Sequence, residues 1–245
     1  MKVTYIDHSG FSVELNRYVL LFDYFRGALP CWSQEKEILV FASHKHYDHF
    51  DFKIFDLMSQ YKKTHYFLGS DIRLSDRYLE RNGVDPGVKA ALTNLGKHTE
   101  TQWKDVTIRT LRSTDAGVAF IVEAEGKVIY HAGDLNWWHW EGEDPAWNRQ
   151  MEKDYKQEID KLAGQHFDLA FVPLDPRLEQ AYDKGLLYFL EQTDADMVFP
   201  MHMWGKYDII SRFVKSPQGS RYAGRIADIR RTGQEFVTEN GGGLA

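Results

Sequence analysis

His44, His46, Asp48 and His49 fall within six residues, spaced H-x-H-x-D-H. Imidazole nitrogens and a carboxylate suit a divalent metal of the zinc, iron or manganese kind. Three histidines and an aspartate at this spacing fit an ordinary solvated turn poorly, so metal binding is the first expectation. The 245 residues include ten histidines and one cysteine, Cys31. The chain can therefore form no internal disulfide and no cysteine-based zinc cluster. Nitrogen and oxygen must hold any transition metal. A metal held in this way can activate water, so no serine or cysteine nucleophile is required.

The motif sets a demand on the backbone. On a continuing strand His44, His46 and Asp48 would share one face and His49 would point away. The four converge only where a strand stops and the chain curls. Glu37–Ala42 (EILVFA) is a continuous apolar run, as expected of a strand buried on both faces, and it ends just before the motif. After it, residues 51–61 carry apolar positions at helical spacing, with Asp51 as the N-cap. Residues 3–6, 11–15 and 18–25 read as short strands, with Asn16-Arg17 as a turn. Residues 66–68 form a further strand, followed by a helical stretch at 71–81. Strands are expected at 106–111, Val118–Ala124 and Lys127–His131, the last two joined by Glu125-Gly126. The second half alternates: helix 146–163, strand 167–173, helix 177–191, strand 197–200, helix 206–215, and a closing strand at 236–237. This order predicts an α/β fold in which sheets pack together and helices cover them. No repeat or linker divides the chain, so residues 1–245 are expected to form a single domain with a frayed tail at 241–245.

Composition excludes several classes. A hydrophobic fraction of 43% with 14% aromatics supports a substantial core rather than disorder. The net charge of -6 argues against a broad nucleic-acid footprint. No apolar run approaches the roughly 18 residues of a membrane helix, and MKVTYIDHSGFSVEL lacks the apolar core of a signal peptide. A cytoplasmic protein without membrane insertion is expected.

The motif in this setting resembles the metallo-β-lactamase superfamily of metallohydrolases, which carries H-x-H-x-D-H after a strand. YIDHSGFSVEL and LLFDYF resemble its first hairpin. VIYHAGDLN resembles the strand whose terminal aspartate bridges two metals, and VFPMHMWG the late strand that ends in the last ligand histidine. The lactonase-like and phosphodiesterase-like cytosolic branch is the more similar, not the secreted antibiotic-degrading enzymes. The resemblance implies a four-layer αββα sandwich of two mixed β-sheets flanked by helices. It implies one metal on His44, His46 and a third ligand, a second on Asp48, His49 and His202, and Asp134 bridging them. Asp134 and His202 each follow a predicted strand, and strand ends line one edge of such a sandwich. The family's usual third histidine would fall in TLRSTDAGVAF, which has none. Asp115 is the best substitute; Ser113 and Thr114 are weaker, and His98 lies too early in the chain. One or two divalent ions are expected, zinc first, with manganese or iron as alternatives.

The implied reaction is attack of a metal-bound hydroxide on an ester, lactone or phosphodiester of a small molecule, with Asp48 orienting the hydroxide. His8, Arg177 and Trp204 are candidates for substrate binding, and Asp23 for fixing a ligand imidazole. The tryptophan-rich segment 136–147 reads equally as a pocket wall or as a lid or homo-oligomer contact. His65, His98, His131, His139 and His166 read as bystanders. Two rivals remain: a nuclease-like phosphodiesterase acting on RNA or DNA, and a non-catalytic metal-binding or interaction protein.

Overall fold

Strict alternation in the central strands creates the layers. In the computed structural model, which describes residues 1–238, Glu37–Ala42 is strand β4. Its Leu39 and Phe41 point into one buried cluster, while Ile38, Val40 and Ala42 point into another. An element apolar on both faces must be covered on both, and two layers of packing follow from this one strand.

The strands are β1 (Lys2–Asp7), β2 (Gly10–Glu14), β3 (Tyr18–Phe22), β4, β5 (Thr64–Gly69), β6 (Leu92–Leu95), β7 (Glu100–Trp103), β8 (Val106–Arg112), β9 (Val118–Ala124), β10 (Lys127–His131), β11 (His166–Pro173), β12 (Asp194–Met201) and β13 (Gln234–Val237). The first sheet runs β13-β1-β2-β3-β4-β5-β6 and the second β12-β11-β10-β9-β8-β7. Both are mixed. In the first, β1 to β3 and β13 pair antiparallel, and β3 to β6 pair parallel. In the second, β7 to β10 pair antiparallel, and β10 to β12 pair parallel. The sheets pack face to face through aromatic side chains. Phe11 lies 4.5 Å from Phe171, and Phe41 lies 5.3 Å from Phe120, between ring centres.

Helices cover the outer faces. Helices α1 (Leu57–Gln60) and α2 (Asp76–Arg81) bury Leu57 and Leu79 on the first sheet. On the second lie α3 (Pro145–Ile159), α4 (Lys184–Gln192) and α5 (Asp208–Val214). Tyr130 of β10 stacks on Phe189 of α4 at 5.0 Å, while its neighbour His131 faces inward and stacks on Phe22 at 4.9 Å. The result is the four-layer αββα sandwich of two mixed β-sheets flanked by helices. Among the described residues no helix is long and apolar enough to cross a membrane. The tail expected at 241–245 lies outside the described residues.

Several expected elements are shorter than predicted. The helix at 51–61 is a 3₁₀ turn over Phe52–Asp56 followed by α1; Asp51 does cap it, accepting from Lys53 N at 2.9 Å. The stretch at 71–81 becomes helical only at α2, where Ser75 caps the chain. The helix at 177–191 is a 3₁₀ segment over Pro176–Ala181 and then α4, because Glu179 takes φ 53°, which no right-handed helix accepts. Strands β6 and β7 were not anticipated: they are short, and their side chains are largely polar or half-exposed. The Glu125-Gly126 turn forms as expected, both residues at positive φ.

Phe41 is fully buried and contacts both sheets. Phe41→Ala is expected to lower stability by about 3–5 kcal/mol, read from the urea midpoint with an unchanged denaturant slope.

Candidate metal centre

The parallel strands of both sheets end on the same edge, and the site is assembled from their ends. Strand β4 leads into the loop carrying His44, His46, Asp48 and His49. The second sheet supplies Asp134 after β10, Asp175 after β11 and His202 after β12. The β1–β2 turn adds His8, and the β8–β9 loop adds Asp115.

The crossing point of these segments is Ser43. Its carbonyl accepts from Val118 N at 3.1 Å. A Cβ on Gly117 would stand 2.0 Å from that carbonyl oxygen, and one on Gly133 would stand 2.7 Å from the Ser43 Cβ. Both glycines are at positive φ, so only glycine fits on both counts. Gly117 thereby lets the loop bearing Asp115 close onto the histidine motif.

Two compact groups of potential ligands result, the atoms within each lying within 4.8 Å of one another. One is His44, His46, Asp115 and Asp134; the other is His8, His49 and His202. Asp134 joins them. Its Oδ2 is 3.4 Å from His44 Nε2, and its Oδ1 is 3.2 Å from His49 Nε2 and 2.7 Å from His202 Nε2. Asp115 Oδ2 reaches to 3.7 Å from His46 Nδ1. The hydroxyls of Ser113 and Thr114 are committed elsewhere, Ser113 Oγ accepting from Asp115 N and Thr114 Oγ1 donating to Asn136 O. Asp48 belongs to neither compact group, but its Oδ2 lies 3.4 Å from His8 Nε2. His8 itself is buried against His202, with ring centres 4.1 Å apart, deeper than the pocket wall where a substrate would meet it.

The donor set can be tested for fit to a cation. His8 Nε2, His49 Nε2, Asp134 Oδ1 and both ring nitrogens of His202 are buried, and none has a hydrogen-bond partner among the described residues. His202 and Asp134 approach to 2.7 Å without hydrogen-bond alignment. Each such orphan costs about 1–3 kcal/mol. Lone pairs converging from nitrogen and oxygen are what a divalent ion of the zinc, iron or manganese kind requires. The residues fit the metal that the fold implies.

The surroundings aim these groups. Asp23 is fully buried; its Oδ2 lies 2.6 Å from His49 Nδ1 and accepts from Ser43 Oγ at 2.7 Å, and its Oδ1 accepts from Ser43 N at 2.7 Å. His49 Nε2 is thus turned toward Asp134. His131 accepts from Gly133 N through Nδ1 at 3.2 Å, so its Nε2 donates to Ser9 O at 2.9 Å; it is a bystander to the metal. His98 pairs with Glu158 at 2.9 Å, away from the centre. Burial disfavours charge on His49, yet Asp134 and Asp23 outweigh it and hold its pKa well above the usual imidazole value. Burial and the neighbouring His202 push His8 down to about 4, which keeps its imidazole neutral and able to ligate at neutral pH. Burial opposes ionisation of Asp48, but His8 and His49 prevail and hold its carboxyl below the ordinary range.

Asp175 was not among the residues expected at the site. It is completely buried, with its Oδ2 3.6 Å from His202 Nδ1. It also binds Arg177 through Nε at 2.9 Å and Nη2 at 2.5 Å, and Trp204 through Nε1 at 3.3 Å. Its position between leucine and proline looks like a helix cap, and it does cap the 3₁₀ segment. The signal available was its placement at a strand end next to Arg177. Backbone strain also marks the site: His8, Asp23, His202 and Trp204 all hold positive φ, which side chains adopt where surrounding structure enforces it.

A cavity of about 470 Å³ opens over the centre. Its lining includes His46, Asp48, Asp115, Asp134 and His202 together with Trp138, Trp140, Trp147, Arg177 and Trp204. Of the tryptophan-rich segment, Trp138 donates to Asp134 O at 3.0 Å, and Asn148 braces Trp140 through both its backbone groups. Trp137 turns away and packs near Tyr155 and Tyr188.

An αββα sandwich with histidines and aspartates gathered at one strand edge defines a metallohydrolase-type scaffold. A family model described as a beta-lactamase superfamily domain matches residues 2–139, more than half of the chain, and the chain belongs to this metallo-β-lactamase superfamily. Among solved structures, it is similar to Igni18, a metallo hydrolase from the hyperthermophilic archaeon Ignicoccus hospitalis, with TM-score 0.60 and 17% identity over 97% of this chain and 99% of the other. It is similar to an isothiocyanate hydrolase from Delia radicum gut bacteria, with TM-score 0.56 and 14% identity over 97% and 99%. The diiron β-hydroxylase CmlA from Streptomyces venezuelae aligns with TM-score 0.54 and 11% identity, over 82% of this chain and 44% of its own. At these identities the structures establish the shared fold. No curated protein matches the chain by sequence.

Asp23→Asn removes the carboxylate behind His49. Divalent metal affinity is expected to fall about 10–100-fold, measured by competition with a fluorescent chelator; unchanged affinity would count against Asp23 as the group that aims His49.

Proposed function

We propose that this chain is a metal-dependent hydrolase acting on an ester, lactone or phosphodiester of a small molecule. The observation that carries the reading is the convergence of orphaned, buried nitrogen and oxygen atoms on Asp134 at the side of an open cavity. His44, His46 and Asp115 would hold one divalent ion, His49 and His202 with Asp48 or His8 a second, and Asp134 would bridge them. Such an ion lowers the pKa of bound water from 15.7 to about 7 and polarises the attacked group.

The chain's own residues do the rest. Asp48, kept ionised by His8 and His49, lines the cavity and can orient the attacking water and accept its proton. Asp23 fixes the His49 ring from behind, and Asp175 stands behind the His202 ring at 3.6 Å from its Nδ1. The tryptophans give the cavity an apolar wall beside the metal-ligating groups. Cys31 is exposed and not among the cavity-lining residues, and a metal-activated water needs no thiol nucleophile. A compact aromatic-walled cavity within the about 300–1,000 Å³ typical of small-ligand sites favours a small molecule over a polynucleotide.

Metal analysis of the purified protein, run beside a panel of esters, lactones, phosphodiesters and an isothiocyanate, tests the reading. His46→Ala and Asp134→Ala are expected to lose metal and hydrolysis together while melting as folded proteins. Full activity in a variant that carries no metal would overturn the mechanism. Asp115→Ala is expected to lower the metal content by one ion per chain; an unchanged content would remove Asp115 from the ligand set.

A further inference from the structure

We propose that the cavity recognises a small organic anion with a flat apolar body, and that Arg177 holds its carboxylate or phosphate. This deepens the hydrolase reading for the ligand's fate, but the recognition stands on separate observations.

Among the described residues Arg177 is the one arginine or lysine lining the cavity. Its guanidinium is already oriented. Nε and Nη2 bond to the buried Asp175, and the plane sits 4.5 Å from the Trp204 ring centre and 5.7 Å from that of Trp140. Nη1 has no hydrogen-bond partner among the described residues, and the side chain is 43% exposed. Asp175 accepts from Arg177 and Trp204 and lies 3.6 Å from His202 Nδ1, so it anchors the guanidinium without using all the donors of Arg177. A planar cation fixed on one edge and open on the other is prepared for a bidentate anion, with little rotamer entropy left to lose.

The apolar half of the ligand follows from the rim. Large apolar side chains are seldom left open without purpose when they cluster. Tyr47, Trp147 and Trp204 are among the few exposed ones, and all three surround this cavity. Behind them Trp138 and Trp140 lie parallel, 6.2 Å apart and tilted by 7°, presenting flat faces. Aromatic rings bind flat apolar bodies by offset or edge contacts. An arginine set among such rings selects a molecule that is apolar along its body and anionic at one end.

The test is direct binding to the metal-loaded protein, followed by quenching of its tryptophan fluorescence. The ligands are naphthalene-2-carboxylate, naphthalene-2-phosphonate and the uncharged naphthalene-2-methanol. One or both acids should bind about 10–100-fold more tightly than the alcohol, and the better acid identifies the headgroup. Arg177→Met should abolish the preference, and Arg177→Lys, which keeps a cation beside Asp175, should retain part of it. Trp147→Ser, a surface change, should weaken all ligands alike. Equal binding of acid and alcohol, or a preference that survives in Arg177→Met, overturns the proposal; in the latter case the metal centre holds the anion. No effect of Trp147→Ser overturns the apolar half. Selective anion binding without turnover of any hydrolysable substrate supports anion recognition and sinks the hydrolase reading instead.

Discussion

The site depends on one buried carboxylate. Asp23 has no solvent exposure, and a charge so placed is tolerated only when hydrogen bonds and a charge partner hold it. It engages Ser43 through backbone and hydroxyl, and His49 through its ring. Ser43 is the residue at which the first sheet delivers the histidine loop and against which the glycines of the second sheet pack. The carboxylate therefore fixes the loop to the sandwich and turns one imidazole toward Asp134 in the same set of bonds. Remove its charge and the loop loses both its anchor and its direction.

Much of this arrangement could be read from the chain. A strand apolar on both faces, stopped by S-H-K-H, forces the histidines into a loop, and Glu37–Ala42 behaves accordingly. Asp134 and His202 follow strands, and strand ends share an edge. What was not legible depended on tertiary contacts. The spacing at 177–191 suggested a continuous helix because apolar spacing does not reveal that Glu179 takes a positive φ, which separates the 3₁₀ segment from α4. Strands β6 and β7 carry too few apolar residues to announce themselves and exist because their edges complete the sheets. His8 read as a candidate for substrate binding, and in the folded chain it lies buried against His202.

The aromatic segment after Asp134 illustrates how one stretch can serve two roles. Trp138 packs against the centre and bonds back to the Asp134 carbonyl, so it holds the end of β10 in place. Trp140 and Trp147 face the open cavity, while Trp137 anchors the segment to the helical layer. The segment had read equally as a pocket wall or as a lid or homo-oligomer contact; in the fold its tryptophans divide between the cavity and packing on the domain.

The candidate ligands do not come from one sheet. His44, His46 and His49 extend from the first, while Asp115, Asp134 and His202 extend from the second. A cation held by them is consequently a clasp across the sandwich seam. Its binding free energy adds to the cohesion between sheets: at a free concentration 100 times its dissociation constant, a ligand of the folded state contributes about 2.7 kcal/mol. A bound ion would then add to a seam already held by the apolar core between the sheets, so loading the ion would raise the melting temperature without being required for the fold.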